Sequence, residues 1–336
     1  MISKKRFSSI RDVANLAGVS TATVSRAINA PDTVSEATRK KVLKAIKESN
    51  YAPNSMATAL FSGMSKTVAL FVLDISNPFY ISLMRHLNQI LLSHGHNLII
   101  CETENSFEKE AQYYEYCKSI RTCCIIYTAG MTRKNFALDT HGNIPLILID
   151  HEPFEDVQSL SINPDNDKAI HLLVDYLVNL NHKKIGFVSG PIDFLSSKAR
   201  YESFCRYMGQ HGLPVENDYV VSRSFAESAG AAAVDYFYSL PSPPTAIIAA
   251  SDQLARGFIM RAHSMGINIP QDCSICGIDG IDSYFYPKIT SIRQDIALIA
   301  QTVFDFIQDP SQTSLPLTKT LDVSFVLGQT CRKLPE

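Results

Sequence analysis

The 336-residue sequence has no apolar run that approaches the roughly 20 residues a membrane-spanning helix needs. Its first residues, Met1 to Arg6, are polar and basic and lack the apolar stretch of an export signal. No internal repeat or low-complexity segment occurs. We therefore expect a protein without a membrane segment, located in the cytoplasm.

Several catalytic and metal-binding patterns are also missing. The sequence has no Gly-x-Gly-x-x-Gly, no phosphate-binding loop and no Gly-x-Ser-x-Gly. Cys273 and Cys276 have zinc or redox spacing, but no second Cys-x-x-Cys and no nearby His pair completes a metal site. An apolar strand in which the two cysteines are small hydrophobic side chains explains the pair better than a metal or redox site. We expect no catalysis, no cofactor and no metal ion, and the role of the two cysteines stays open.

The charge is distributed unevenly along the chain. Residues 1–64 hold ten Lys or Arg and four acidic residues, a formal charge of +6. The whole chain is at −2, so the remainder carries −8. A basic end on an acidic body is typical of a protein that meets nucleic acid phosphates at one end only. A solvated charged helix is the alternative explanation for Arg39 to Lys41 taken alone.

Residues 10–29 predict two short helices joined by a tight turn. Ser9 and Asp12 form a capping-box pattern at the start of the first helix. Gly18 permits the positive φ of a turn, and Ser20 can cap the second helix. A third helix should begin at Ser35 and run to about Asn50. The apolar sides of the first and third helices are predicted from Val13, Ala14 and Leu16, and from Val42, Leu43 and Ile46.

The second of these helices has an inner apolar side and an outer polar side. Val24 and Ile28 lie four residues apart and face inward. The outer side chains belong to Thr21, Ala22, Ser25, Arg26 and Asn29. Small side chains with one arginine suit the major groove of DNA. A three-helix bundle without a nucleic acid partner is the alternative.

This region resembles the DNA-binding head of the LacI/GalR family of bacterial repressors. The resemblance is carried by Asp12-Val13-Ala14, Ala17-Gly18-Val19-Ser20, Thr23-Val24-Ser25-Arg26, Val34-Ser35 with Thr38-Arg39 and Val42, and Asn50-Tyr51-Ala52-Pro53-Asn54. It implies a homodimer that reads a near-palindromic operator with one helix for each half-site. No heptad pattern follows Thr330, so a dimer is expected rather than a tetramer.

The DNA-binding residues are predicted from their chemistry and their place in this motif. Arg26 is expected to contact a guanine with two hydrogen bonds, and Ala22 and the Thr21 methyl group suit a thymine methyl. Four others are expected to hold phosphates or to cap the helix: Ser20, Thr23, Ser25 and Asn29.

Residues 54–62 read as a helix too short to be stable alone in water. In the family such a helix orders only when two copies meet on the operator. Asn54 opens it and is included among the DNA-binding residues, and Leu60 matches a wedge that enters the minor groove and kinks the central step. A flexible linker with an incidental leucine is the alternative.

From Thr67 onward, apolar strands alternate with amphipathic helices, which predicts doubly wound parallel sheets. Landmarks such as Asp74 to Tyr80 and Gly277 to Asp279 resemble the periplasmic-binding-protein-like body that the family joins to its DNA head. The fold class is thus a small all-α helix-turn-helix head plus a two-lobed α/β body. The expected bounds are 1–53 for the head, 54–66 for the hinge and linker, 67–161 with 294–323 for lobe one, and 162–293 with 324–336 for lobe two.

An effector site is expected where the strands of the two lobes end. Asp150, Arg200 and Asp279 are the predicted polar anchors, because carboxylates accept from paired hydroxyls and a guanidinium donates in a fork. Phe79, Tyr80 and Phe225 are predicted to pack on a sugar ring, and Ser251 and Asp252 to complete the site. A surface charge or a helix cap is the alternative for each anchor.

Two departures from the family bear on the effector. Ser251 stands where many sugar-responsive members have an asparagine, and Phe194 stands where the purine-responsive member places an arginine on its ligand. The second argues against a purine corepressor. We predict a repressor whose DNA binding is switched by a small carbohydrate-like effector, with induction as the preferred sign. A corepressor, a sugar phosphate or a sugar-binding protein with no DNA role are the alternatives.

Overall fold

The computed structural model describes residues 8–51, 64–128, 144–153, 159–281, 285–309 and 317–335. The chain forms two compact units, divided between Ser65 and Lys66. The first contains the helical head, and the second contains two α/β sheets with mostly parallel strands. The predicted fold class is confirmed.

The head contains helices α1 (Ile10–Ala17), α2 (Thr21–Asn29) and α3 (Glu36–Ser49), with a 3-10 turn at Pro31–Thr33. Ser9 and Asp12 make both bonds of the predicted capping box. Gly18 ends α1 in the left-handed region at φ 65°. Ser20 and Ser35 accept from the backbone N–H three residues ahead, at 3.1 and 3.3 Å. Local sequence therefore sets the bounds of these helices.

The core of the head is built from small side chains. Its buried members are Val13, Ala14, Val24, Ala27, Val42 and Ala45, with Ile28 and Ile46 packed at the margin. Leu16 and Leu43 were predicted to face inward, but their side chains are 54% and 48% exposed. Valine and alanine side chains are small, so the helices of the head pack close together. The space between them is too small for the leucine side chains, which stay at the surface.

Lobe one is a six-stranded parallel sheet in the order β11-β5-β4-β3-β1-β2. Its strands are β1 (Thr67–Val72), β2 (Asn97–Glu102), β3 (Cys124–Tyr127), β4 (Leu146–Ile149), β5 (Ser159–Pro164) and β11 (Leu317–Leu321). Its helices are α4 (Pro78–Ser93), α5 (Phe107–Ser119) and α10 (Ile296–Gln308). Apolar clusters cover both faces, as expected for a parallel sheet.

Lobe two is a six-stranded sheet in the order β12-β10-β9-β8-β6-β7, parallel except for the pair β10 and β12. Its strands are β6 (Ile185–Ser189), β7 (Val220–Ser222), β8 (Ala246–Ala249), β9 (Ser274–Asp279), β10 (Thr290–Gln294) and β12 (Val323–Val326). Its helices are α6 (Asn166–Asn179), α7 (Leu195–Gln210), α8 (Glu227–Phe237) and α9 (Asp252–Ser264), with a 3-10 turn at Asn217–Tyr219.

The chain passes from one sheet to the other three times. The changes follow Pro164, Gln294 and Leu321, the last residues of β5, β10 and β11. Strand β5 pairs with β11 as far as Pro164, so lobe one extends three residues past the predicted bound of 161. Short connections at the ends of elements are typical of hinges between lobes.

No helix among the described residues is both long enough and apolar enough to cross a membrane.

Candidate functional site

The outer side of α2 presents the residues predicted to read bases. Thr21, Ala22 and Arg26 are exposed. The Arg26 Nε donates to the Ala22 carbonyl oxygen at 3.4 Å, so the guanidinium lies along its own helix. That bond is long and weak by geometric standards, and a stronger acceptor can replace it at little cost.

The other residues predicted to contact DNA differ in their position on the helix and in their exposure. Ser20 caps α2, as predicted, and its hydroxyl also lies 2.9 Å from that of Thr23. Ser25 is half-buried and Asn29 is the last residue of α2. Asn54 and Leu60 lie outside the described residues.

In the body, a cavity of about 320 Å³ lies where strands of both sheets end. Lobe one contributes Leu73, Asp74, Asn77, Phe79, Tyr80, Glu104, Thr128, Ile149 and Asp150. Lobe two contributes Phe194, Ser196, Arg200, Ser224, Phe225, Ala226, Ser251, Gln253, Asp279 and Gln294. Seven of the eight predicted effector residues therefore line one cavity.

Arg200 is held rigidly in the wall of this cavity. Its side chain is 4% exposed. Its Nε donates to the Asn166 Oδ1 at 2.7 Å, and its Nη1 donates to the Ala250 carbonyl oxygen at 2.5 Å. Both partners are neutral, so the guanidinium charge is not cancelled by either of them. The charge is fixed in position and available to a ligand.

Asp279 ends β9 and enters the cavity from lobe two. Its φ of 128° is unusual for a residue with a side chain, and only 6% of its surface is exposed. Burial raises its pKa to about 7, although the Arg200 charge and a 2.8 Å hydrogen bond from the Gln294 Nε2 oppose the shift. The carboxyl group can thus change its protonation state near neutral pH.

Asp150 follows β4 and enters the cavity from lobe one. Its backbone is in the left-handed region at φ 60°. Its Oδ1 is buried and has no hydrogen-bond partner among the described residues. A buried carboxylate oxygen without a donor is costly, and a ligand hydroxyl would supply one.

Aromatic rings form the apolar part of the wall. Phe225 lies directly over Gly190, where an added Cβ would meet the ring at 2.3 Å. Phe194 and Phe225 have centroids 5.8 Å apart, and Phe79 and Tyr80 have centroids 5.5 Å apart. The Tyr80 hydroxyl donates to the Thr128 carbonyl oxygen at 3.3 Å, and burial raises its pKa well above the usual range. Tyr80 therefore stays neutral.

Asp252 does not line this cavity, in contrast to the prediction. Ser251 caps α9 by accepting from the Leu254 N–H, and Asp252 is the first residue of that helix. The Asp252 carboxylate accepts from the Ser291 hydroxyl at 2.6 Å and from the Ile281 N–H at 3.2 Å. It lines a smaller neighbouring cavity of about 170 Å³. One position along the chain turns the side chain away, because successive helix residues point about 100° apart.

Sequence reasoning missed several polar lining residues, among them Gln294, Glu104 and Ser196. Gln294 could have been found, because it ends a strand at a predicted lobe crossing. Glu104 precedes α5 at φ 50° and forms a 2.6 Å ion pair with Lys109. Nothing in the local sequence marks Glu104 or Ser196 as cavity residues.

Comparisons with known proteins agree with this architecture. A family profile described as "Bacterial regulatory proteins, lacI family" matches residues 9–54. A second, described as "Periplasmic binding protein-like domain", matches residues 174–331.

Curated relatives cover most of the chain. The HTH-type transcriptional repressor PurR of Vibrio vulnificus (strain CMCP6) is 30% identical over 302 residues, 89% of this chain and 90% of that protein. The protein of the same name from Photobacterium profundum is 28% identical over 304 residues, 89% of this chain and 91% of that one.

Solved structures share the fold. The lac repressor dimer bound to operator and the anti-inducer ONPF has a TM-score of 0.84 at 24% identity, covering 97% of this chain and 100% of that one. A complex of the transcriptional regulator CelR with cellobiose has a TM-score of 0.69 at 23% identity, covering 96% of this chain and 99% of that one.

Proposed function

This chain belongs to the LacI family of bacterial transcriptional regulators and is a DNA-binding transcriptional repressor, and we propose that a small neutral carbohydrate bound between the two lobes switches its affinity for DNA. The observation that carries the proposal is the excess of fixed hydrogen-bond acceptors in the 320 Å³ cavity. Among its described lining residues, four are acidic (Asp74, Glu104, Asp150 and Asp279) and one, Arg200, is basic.

This charge pattern favours a ligand that donates hydrogen bonds and carries no negative charge. Sugar hydroxyls donate to carboxylates in pairs, and the unpartnered Asp150 Oδ1 is an acceptor for such a donor. The rings of Phe79 and Phe225 offer an apolar surface for the C–H face of a sugar. A sugar phosphate is disfavoured, because the described lining of the cavity holds four acidic side chains and a single basic one, Arg200. CelR in complex with cellobiose is a structural neighbour with such a ligand.

On DNA, we propose that two copies of the chain place their α2 helices in successive major grooves of a near-palindromic operator. Arg26 then reads a guanine, and the Ala22 and Thr21 methyl groups contact thymine. Ser20, Thr23, Ser25 and Asn29 serve as caps and phosphate contacts, Asn54 opens the hinge segment, and Leu60 acts as the wedge in the minor groove. A protein that binds operator DNA works in the cytoplasm.

The switch follows from differential affinity. A ligand that contacts Asp150 in lobe one and Arg200 and Asp279 in lobe two favours one arrangement of the lobes over the other. The chain crosses between the lobes after Pro164, Gln294 and Leu321. A change in the angle between the lobes therefore moves one sheet relative to the other. A coupling free energy of about 1–3 kcal/mol is typical of such linkage. We expect the ligand to act as an inducer, which weakens operator binding.

Corepression by a planar base is the second candidate. The 30% identity to repressors named PurR favours it, and the tilted rings of Phe194 and Phe225 could hold a flat ligand. Against it stands Phe194 itself, at the position where the purine-responsive member of the family has an arginine. The two candidates predict opposite changes in operator affinity, because an inducer weakens operator binding and a corepressor strengthens it.

A thermal-shift screen of the full chain tests the proposal with three ligand groups: neutral mono- and disaccharides, sugar phosphates, and purine bases. We expect a saccharide to raise the Tm, and Asp279→Asn to abolish that rise. Asp235→Asn is the matched control, because Asp235 lies in an exposed ion pair with Arg261 of lobe two. A Tm rise with purine bases alone, or one unaffected by Asp279→Asn, would reject the proposal.

A further inference from the structure

The two cysteines of the Cys-x-x-Cys sequence do not pair with each other. Cys276 lies within β9 and Cys273 immediately precedes that strand. Side chains of an extended chain alternate between faces, so residues three apart point to opposite sides. The Cys273 Sγ lies near the carbonyl oxygens of Ser274 and Pro244, at 3.3 and 3.9 Å.

The actual neighbour of Cys276 comes from the end of the chain. The Cys276 Sγ lies 3.4 Å from the Cys331 Sγ, although the residues are 55 positions apart. A disulfide needs about 2.05 Å between sulfurs, so bond formation requires them to approach by roughly 1.4 Å. Both thiols are free in the structure.

Hydrogen bonds on each side hold the two segments in register. The Ile275 N–H donates to the Thr330 carbonyl oxygen at 2.8 Å, and the Thr330 hydroxyl donates to the Ile275 carbonyl oxygen at 2.6 Å. The Arg332 N–H donates to the Ser274 hydroxyl at 3.0 Å. Each cysteine is therefore adjacent to residues whose backbone is already paired, so their proximity is built into the fold.

The two thiols differ in access and acidity. Cys276 is buried and Cys331 is half-buried. Hydrogen bonding from the Cys276 thiol lowers the pKa of Cys331, and burial raises the pKa of Cys276. Thiolates attack peroxides, so Cys331 is the sulfur that would react first. Cys101 and Cys117 also interact, but both are buried.

We propose that Cys276 and Cys331 form a reversible disulfide under hydrogen peroxide, which fastens the C-terminal segment Gly328–Arg332 to strand β9. The Cys331 thiolate attacks one peroxide oxygen, the O–O bond breaks, and the products are a sulfenic acid and water once the leaving hydroxide is protonated. The Cys276 sulfur then attacks the Cys331 sulfur, and the S–O bond breaks with loss of a second water. Two thiols are oxidised and one peroxide is reduced, and a dithiol reductant reverses the bond.

The bond would constrain lobe two. Strand β9 carries Asp279 at its carboxyl end, and the Thr330 hydroxyl accepts from the Thr290 N–H of the neighbouring strand β10 at 2.9 Å. A disulfide across 55 positions also restricts the unfolded chain, which stabilises the folded one. Oxidised protein should therefore melt several degrees higher than reduced protein.

Peptide mapping of the full chain tests the proposal. The protein is treated with hydrogen peroxide, alkylated and digested, and disulfide-linked peptides are identified by mass spectrometry. We expect one dominant link, Cys276 to Cys331, with loss of two thiols for each chain and full recovery in dithiothreitol. Cys331→Ser should abolish both the link and the Tm rise, whereas Cys205→Ser, which removes another half-buried thiol, should preserve both.

Three results would overturn the proposal. One is the absence of the Cys276–Cys331 peptide at peroxide concentrations that oxidise Cys205. Another is formation of the same link to the same extent in urea, because the fold would then play no part. The third is a linked protein with the Tm of the reduced one, because the link would then place no added constraint on the folded chain.

Discussion

Helix α2, which we propose reads DNA, and the proposed effector cavity differ in how far apart along the chain their side chains lie. Thr21, Ala22 and Arg26 fall within a single helix of nine residues and are exposed to solvent. Asp150, Arg200 and Asp279 come from three separate strand ends or helices and meet in one cavity. A local motif therefore encodes the first surface, and the order of strands in two sheets encodes the second.

The two regions also differ in electrostatics. The head is basic, with ten Lys or Arg in residues 1–64, and its Arg26 is exposed. The cavity is rich in carboxylates, and its Arg200 and Asp279 are buried. Salt screens exposed charges far more than buried ones. DNA binding should thus weaken steeply with salt, and effector binding should barely change.

The largest effect is expected where a buried charge is removed. Arg200→Met leaves the Asn166 Oδ1 and the Ala250 carbonyl oxygen without their donor. We expect a loss of about 2–5 kcal/mol in the free energy of unfolding, measured by urea denaturation of the body. Arg261→Met, which breaks an exposed ion pair with Asp235, should cost at most about 1 kcal/mol. Equal losses would contradict the rigid role of Arg200.

Asp279 should make stability depend on pH. Burial raises its pKa to about 7, whereas the unfolded chain titrates near 4. As the pH falls from 8 to 5, the folded protein gains a proton that the unfolded chain does not, so stability rises as pH falls. This contribution is about 2–3 kcal/mol and should vanish in Asp279→Asn.

The measurement is the difference in unfolding free energy between wild type and Asp279→Asn at pH 5 and pH 8. The pKa of Glu110 is also raised to about 7 by burial and is the same in both proteins, so it cancels in the difference. The pKa of Asp252 is raised by burial and by the Asp279 charge, so the difference reports this buried pair. Asp235→Asn provides the exposed control. A difference that stays constant from pH 5 to pH 8 would show that Asp279 titrates normally.

Arg26 tests the head without touching the cavity. Arg26→Ala should lower the affinity for a selected operator by about 1–3 kcal/mol and leave the affinity for random duplex nearly unchanged. Fluorescence anisotropy on the two duplexes measures both. Lys40→Ala, which removes an exposed charge on α3, should change both affinities by the same factor. If Arg26→Ala also weakens both equally, Arg26 contacts phosphate rather than bases.

The smallest effect concerns the start of the head. Ser9→Ala removes the cap that accepts from the Asp12 N–H, and should cost about 1 kcal/mol of head stability. Ser9→Gly should cost only a few tenths, because glycine also suits a cap position. Circular dichroism during thermal unfolding measures both. A Ser9→Ala variant as stable as the wild type would mean that the hydroxyl contributes nothing.

Much of the fold could be predicted because local chemistry dictates it. Ser9, Gly18, Ser20 and Ser35 set the helix bounds in the head, and buried apolar runs such as Ala246–Ala249 mark the central strands. The three-residue strand β7 has no such run, so the sequence pattern does not mark it. The exposure of Leu16 and Leu43 was also missed, because periodicity shows which face is apolar but not how close the helices approach.

The site could be predicted only where the fold brings strand ends together. Asp150, Arg200 and Asp279 line the cavity, whereas Asp252 points to a neighbouring one because it begins helix α9. The contact of Cys276 with Cys331 was beyond sequence reasoning. The Cys-x-x-Cys spacing suggested Cys273 as the partner, and only the strand geometry excludes it.

The central claim is that a ligand in the cavity controls DNA binding by the head. The direct measurement is the affinity of the full chain for an operator obtained by unbiased oligonucleotide selection, with and without saturating amounts of the saccharide that gives the largest thermal shift. We expect the saccharide to weaken operator binding by about 5- to 150-fold in the wild type, and to have no effect in Asp279→Asn. An unchanged operator affinity in the wild type, at a saccharide concentration that saturates the cavity, would contradict the claim.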